Sequence, residues 1–127
     1  MKKSILILVG IAVLLIIAIV LGGMFFLRYE DVQPFDVNAY QTELETYTSE
    51  LVLGRVSDTK DAAKKARSVW YDTYGLHAII NQTYFVFYDS QADIYMVKGA
   101  PPKAEGGSPY ILLNAETGAV LALWHEK

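Results

Sequence analysis

From Ile5 to Leu27 the chain runs for about 23 residues without a charged side chain. As a helix rising 1.5 Å per residue, such a run spans the hydrocarbon core of a bilayer, about 30 Å thick, with room for tilt. A cleavable signal peptide would have a shorter apolar core followed by a small-x-small site. This run ends instead in Gly22-Gly23-Met24-Phe25-Phe26-Leu27, so a retained single-pass anchor is expected over residues 1–28. Lys2 and Lys3 precede the run, and Arg28 is followed at once by Glu30 and Asp31. The positive-inside rule then places the N-terminus in the cytoplasm and the remainder of the chain outside it. Gly10 and the Gly22-Gly23 pair do not form a Gly-x-x-x-Gly motif and read as scattered membrane glycines.

About 100 of the 127 residues remain, the size of one domain. The chain has no cysteine, which excludes disulfide scaffolds, thiolate zinc sites, cysteine nucleophiles and lipid-modified cysteine. Beyond Arg28, eight basic side chains face fourteen acidic ones. Six of the acids (Glu30, Asp31, Asp36, Glu43, Glu45 and Glu50) fall before Gly54, a stretch with no Lys or Arg. Nucleic acid is a poor partner for such a surface and is not expected, since its binding rests on neutralising phosphates with Lys and Arg. A basic protein suits the surface better.

Residues 29–53 read as an acidic linker followed by a candidate helix. Pro34 keeps the membrane helix from continuing unbroken into the next element. Val37, Tyr40, Leu44, Tyr47 and Leu51 recur at helical steps behind an Asp36 cap, giving a helix from Asp36 to about Ser49; Tyr47 to Leu53 would equally suit an extended segment. Residues 54–127 form the domain proper. Ser57 or Asp58 caps a helix whose buried face is Ala62, Ala66, Val69, Trp70 and Thr73, and Gly75 ends it. The period then changes to two. Thr83–Tyr88 and Ile94–Lys98 form one hairpin, and Tyr110–Leu113 and Ala119–Trp124 another, closed by Gly118 in a left-handed conformation. The fold class is α+β: a transmembrane helix, then a helix packed on a roughly four-stranded antiparallel sheet made of two hairpins.

Signals for catalysis are missing: there is no Gly-x-Ser-x-Gly, no His-Glu-x-x-His and no phosphate-cradling glycine loop. Gly106-Gly107-Ser108 precedes a proline and cannot form a nucleophile elbow. His77 and His125, the two histidines, read as surface residues in preference to half a metal site, and no cofactor is implied. Asn81-Gln82-Thr83 matches a glycosylation pattern that is common by chance. Tyr84, Val86 and Tyr88 share one strand face and Phe85 and Phe87 the other. One set packs under the helix, and the other needs either the Asp36 helix as a cover or a partner.

The residues Gly54-x-Val56-x-Asp58, Ala62-x-x-x-Ala66, Trp70, Tyr74-Gly75, Val97-x-Gly99, Pro102, Gly106-Gly107-x-Pro109 and Thr117-Gly118-x-Val120 resemble the bacterial immunity proteins with a nuclear transport factor 2-like fold. The resemblance covers Gly54 to Lys127. It implies a non-enzymatic protein that binds and neutralises a cognate toxin. A PepSY-like extracytoplasmic module, regulatory or inhibitory, is the second resemblance, since it too runs helix, hairpin and a strand ending in a Thr-Gly turn. Candidate contacts for a protein partner are the acids Glu43, Glu45 and Glu50, the aromatics Tyr84 and Tyr88, and Lys103, Glu105 and Ser108 in the loop Ala100 to Ser108. Trp70, Gly75, Gly99, Gly106, Gly107 and Gly118 are assigned structural roles.

Overall fold

The computed structural model describes residues 2–101 and 107–126. Lys103, Glu105 and Gly106 lie outside the described residues. Helix α1, Lys2–Phe25, is long and apolar enough to cross a membrane, and none of its residues is buried.

The chain then enters the sheet. Strands β1 (Arg28–Tyr29) and β2 (Gln33–Pro34) pair in parallel with one edge of β3 (Thr83–Asp89). Strand β3 continues antiparallel to β4 (Ile94–Ala100), β5 (Pro109–Asn114) and β6 (Val120–His125), in the order β1-β3-β4-β5-β6. The two expected hairpins are present. The sheet, however, is mixed and six-stranded, not a four-stranded antiparallel one, and the stretch from Tyr29 to Phe35, expected as a linker, supplies two of the strands. Two-residue strands carry no alternation for a sequence pattern to display; they exist because the open N–H and C=O groups of β3 need partners.

The opposite edge is closed in the same way. Tyr47 to Leu53 runs along β6: Leu123 N donates to the Tyr47 carbonyl (3.0 Å), Val120 N to that of Leu51 (2.9 Å), and Leu53 N to that of Gly118 (2.9 Å). Extended backbone thus wins over helix in this stretch. The helix before it is correspondingly short, a 3-10 turn Val37–Tyr40 leading into α2, Gln41–Thr46, with Asp36 capping the Asn38 N–H at 2.9 Å.

Helix α3 spans Thr59–Tyr74. Its cap is Asp58, which accepts from Asp61 N (2.7 Å), while Asp61 accepts from Ser57 N (2.9 Å) and pairs with Lys65 (2.8 Å). Gly75 ends it at φ +91°. The buried face is Ala62, Ala63, Ala66, Val69 and Trp70; Thr73, expected on that face, is exposed, and Ala63 takes part instead. Three alanines let the helix approach the sheet closely, so Trp70 reaches Tyr84 and stacks on it (centroids 5.3 Å apart, planes 8° from parallel).

Alternation splits the apolar residues between two cores. Under α3 lie Tyr84, Val86, Val97, Ile111, Leu113 and Val120; on the other face Met96, Tyr110, Leu112, Ala122 and Trp124 pack with Val37, and Phe35, Tyr40 and Leu44 close over them. The segment headed by Asp36 is therefore the cover that the second face needs. A register shift at Leu112/Leu113 opposite Val120–Ala122 lets both Val120 and Ala122 be buried, on different faces.

Asp89 ties the cover to the first hairpin. One carboxylate oxygen accepts from Val37 N (2.9 Å), the other from Gln91 N and Ala92 N (3.0 and 3.1 Å). The bonds from Val37 and Ala92, with that from Gln91, hold the Asp89 carboxyl below the ordinary carboxylate range against the opposing effect of desolvation. A carboxyl with a lowered pKa in the folded state stabilises fully above its unfolded pKa, and that contribution disappears as pH falls through the folded value. Asp89→Asn is therefore expected to lower the denaturation midpoint at neutral pH, with wild type and variant converging in acid. A difference that persists unchanged in acid would show that the carboxylate charge is not the source.

Gly99 allows another close approach. A Cβ there would lie 2.9 Å from Cγ of Pro109 and 3.1 Å from Oε1 of Gln82, so the structural role expected of Gly99 has a steric basis.

Candidate functional site

On the second face of the sheet lies an aromatic cluster edged by acidic side chains, with Tyr47 as its exposed member. Trp124 is 7% exposed and stacks on Tyr110 (4.9 Å, 7°), with Tyr47 (6.1 Å, 21°) and Tyr40 (6.1 Å, 39°) against it. Tyr47 keeps 45% of its surface exposed. Its place follows from the local fold: α2 stops at Thr46, and Tyr47 begins the extended run along β6 with its ring turned onto Trp124. Lys98 lies over the outer side of Tyr110, 5.5 Å from the ring centroid, and Tyr110 Oη donates to Oε2 of Glu126 (3.2 Å).

Glu43 and Glu45 project from α2, the first half-buried and the second exposed, and Glu50 is exposed on the run beside β6. Burial, Tyr110, Glu43 and Glu126 together raise the pKa of Tyr40, against the pull of Lys98. Glu43 and Glu126 are the acids that act on this ring, and Lys98 is the cation that opposes them. The described end of the long loop arrives at the same place, since Glu126 N donates to the carbonyl of Ser108 (2.9 Å). Of the residues expected to make contact, Glu43, Glu45, Glu50 and Ser108 belong to this face or its edge.

Of the remaining four, Lys103 and Glu105 lie outside the described residues, and Tyr84 and Tyr88 lie elsewhere. Tyr84 is 1% exposed beneath α3, where desolvation pushes its hydroxyl up to about 12 against the opposing charge of Arg67. It is a core residue and cannot meet a partner. The periodicity had offered both roles for the Tyr84 face, and the stacking with Trp70 decides for packing. Tyr88 sits at the opposite end of the sheet from Ser108, paired with Tyr95 and donating to Asp93 (2.6 Å), and lines two clefts of about 450 and 440 Å³. His77 is exposed in the turn after Gly75, and His125 ends β6 edge-on to Tyr74 (5.4 Å). No group of three or more metal-ligating residues is found among the described residues.

Sequence reasoning missed Tyr40, Tyr47, Lys98, Tyr110, Trp124 and Glu126 as members of one surface. Alternation along β5 does place Tyr110 opposite Ile111, but only the pairing of Lys98 with Tyr110 and of Tyr110 with Trp124 brings the strands into line.

A helix laid on one face of a mixed sheet, with an aromatic cluster and acidic side chains on the other, defines an α+β domain. A family model described as NTF2 fold immunity protein matches residues 61–127, and the chain belongs to that family. No curated protein and no solved structure matches the chain. The resemblance to PepSY-like modules finds no support in the matches.

Proposed function

We propose that this protein is a membrane-anchored, non-enzymatic immunity protein that neutralises a cognate bacterial toxin by occluding it. Membership of the immunity family carries the reading. Helix α1 supports anchoring by its length and apolar composition, and Lys2 and Lys3 support an N-terminus in the cytoplasm with the domain outside. A protein of this size has room for one standard interface, about 800 Å² per partner. The face carrying Glu43, Glu45, Tyr47 and Glu50, with the Ser108 end of the loop, is the surface proposed to meet the toxin. Acids around the exposed ring of Tyr47 suit a basic partner: the charges speed encounter and the ring supplies apolar contact.

Glu43→Gln, Glu45→Gln and Glu50→Gln combined should slow association with a basic toxin about tenfold at low ionic strength. The difference should shrink as salt screens exposed charge. Stopped-flow mixing of the full chain with the toxin checks this. A rate unchanged at low salt would remove the acidic rim from the interface.

A further inference from the structure

On the side of the domain away from the acidic rim, α3 presents Lys60, Lys64 and Arg67 at i, i+4 and i+7. They line a cleft of about 560 Å³ shared with Gly22, Phe25 and Phe26 of the α1 end. No carboxylate lines the cleft, and none of the three cations is ion-paired among the described residues.

The α1 end is fastened to the domain at this place. Arg67 Nη1 donates to the Phe25 carbonyl (3.2 Å), Asn81 N donates to that of Met24 (3.1 Å), and Leu27 packs against the core beneath α3. A helix of 24 residues is about 36 Å long, somewhat more than the hydrocarbon thickness, so its last turn stands at the depth of the lipid headgroups. The neighbouring surface suits that depth. Leu76, 46% exposed, begins the short turn that leads to Asn81, and Tyr71, 51% exposed, continues the α3 stripe.

We infer that this cleft binds the headgroup phosphate of an anionic phospholipid, Arg67 and Lys64 pairing with the phosphate while the acyl chain descends along Phe25 and Phe26. The inference rests on the reading that α1 spans the bilayer. It gives the domain a fixed orientation: the basic stripe is held at the membrane, and the acidic α2 face, repelled by anionic lipid, is turned away from it.

The test uses the full chain reconstituted in phosphatidylcholine vesicles with spin-labelled lipid as the probe. Alkaline carbonate extraction comes first. Release of the protein would overturn the anchoring reading and this proposal with it; retention leaves the lipid preference to decide. Spin-labelled phosphatidylglycerol should be motionally restricted at the protein several-fold more strongly than spin-labelled phosphatidylcholine. Lys60→Gln with Lys64→Gln should remove most of that preference, and addition of Arg67→Gln the remainder, while the number of restricted lipids per chain stays constant. No preference in the wild type, or an equal one in the variants, would overturn the proposal while leaving the anchor intact.

Discussion

Gly118→Val is expected to destabilise the domain by about 3 kcal/mol or more, through overpacking and a left-handed backbone together. Gly118 has φ +71° and closes the second hairpin, its N–H donating to the Asn114 carbonyl at 2.8 Å. Asn114 itself accepts from Glu116 N and Thr117 N, which fixes the turn. A Cβ at position 118 would overlap the carbonyl oxygen of Gly54 and lie 2.7 Å from that residue's carbonyl carbon and nitrogen. Backbone cannot retreat as a flexible side chain can, and Gly54 is itself held at φ +83° beside the Leu53 N–H bond to Gly118. The loss is therefore shared by the hairpin and the edge segment that covers β6. Denaturant unfolding of the full chain in detergent, followed by tryptophan fluorescence, checks it. A midpoint equal to that of the wild type would show that the two glycines do not touch.

Trp70→Ala should cost about 3 to 5 kcal/mol, the usual range for emptying a buried aromatic site. Trp70 is fully buried, is held by the alanine face of α3, and stacks on Tyr84. Its Nε1 has no hydrogen-bond partner among the described residues, so the loss is one of packing and stacking only. Against a typical domain stability of 5 to 15 kcal/mol the change is large. Trp70→Phe keeps a ring on Tyr84 and should cost less than Trp70→Ala. Thermal or urea unfolding of both variants checks the order; a loss below about 1 kcal/mol for Trp70→Ala would contradict the stacked core.

These two positions also show what the sequence makes legible. Trp70 lies on a helical period of small residues, and Gly118 follows a polar turn between two apolar runs, so each announces its role locally. The four long strands and α3 were readable for the same reason: each repeats a period over several residues. Short elements that exist only through a neighbour do not. Strands β1 and β2 have two residues each and are defined by the edge of β3. The register shift opposite Leu112 depends on pairing, and no residue marks it. Tyr84 shows the limit most plainly, because alternation gave it a face but could not say whether that face met a helix or a partner. The proposed contact surface was legible as charge in Glu43, Glu45 and Glu50. Its aromatic cluster, drawn from the residues flanking α2 and from β5 and β6, required the fold.

The two long faces of the sheet have different consequences for function. The α3 side is tied to α1 by Arg67 and Asn81, and Lys60, Lys64 and Arg67 line the cleft beside that junction. The α2 side carries the acidic rim and the exposed half of Tyr47. Under the proposed anchoring, a domain so divided would hold one side at the membrane and keep the other free for an incoming protein.

Neutralisation by binding is measured most directly by the activity of the cognate toxin, taken as the product of a toxin-like reading frame beside this gene, titrated with the purified full chain in detergent. Activity should fall in proportion to added protein and be abolished near equal concentrations, without any chemical change in the toxin. Full toxin activity in the presence of excess protein would contradict it.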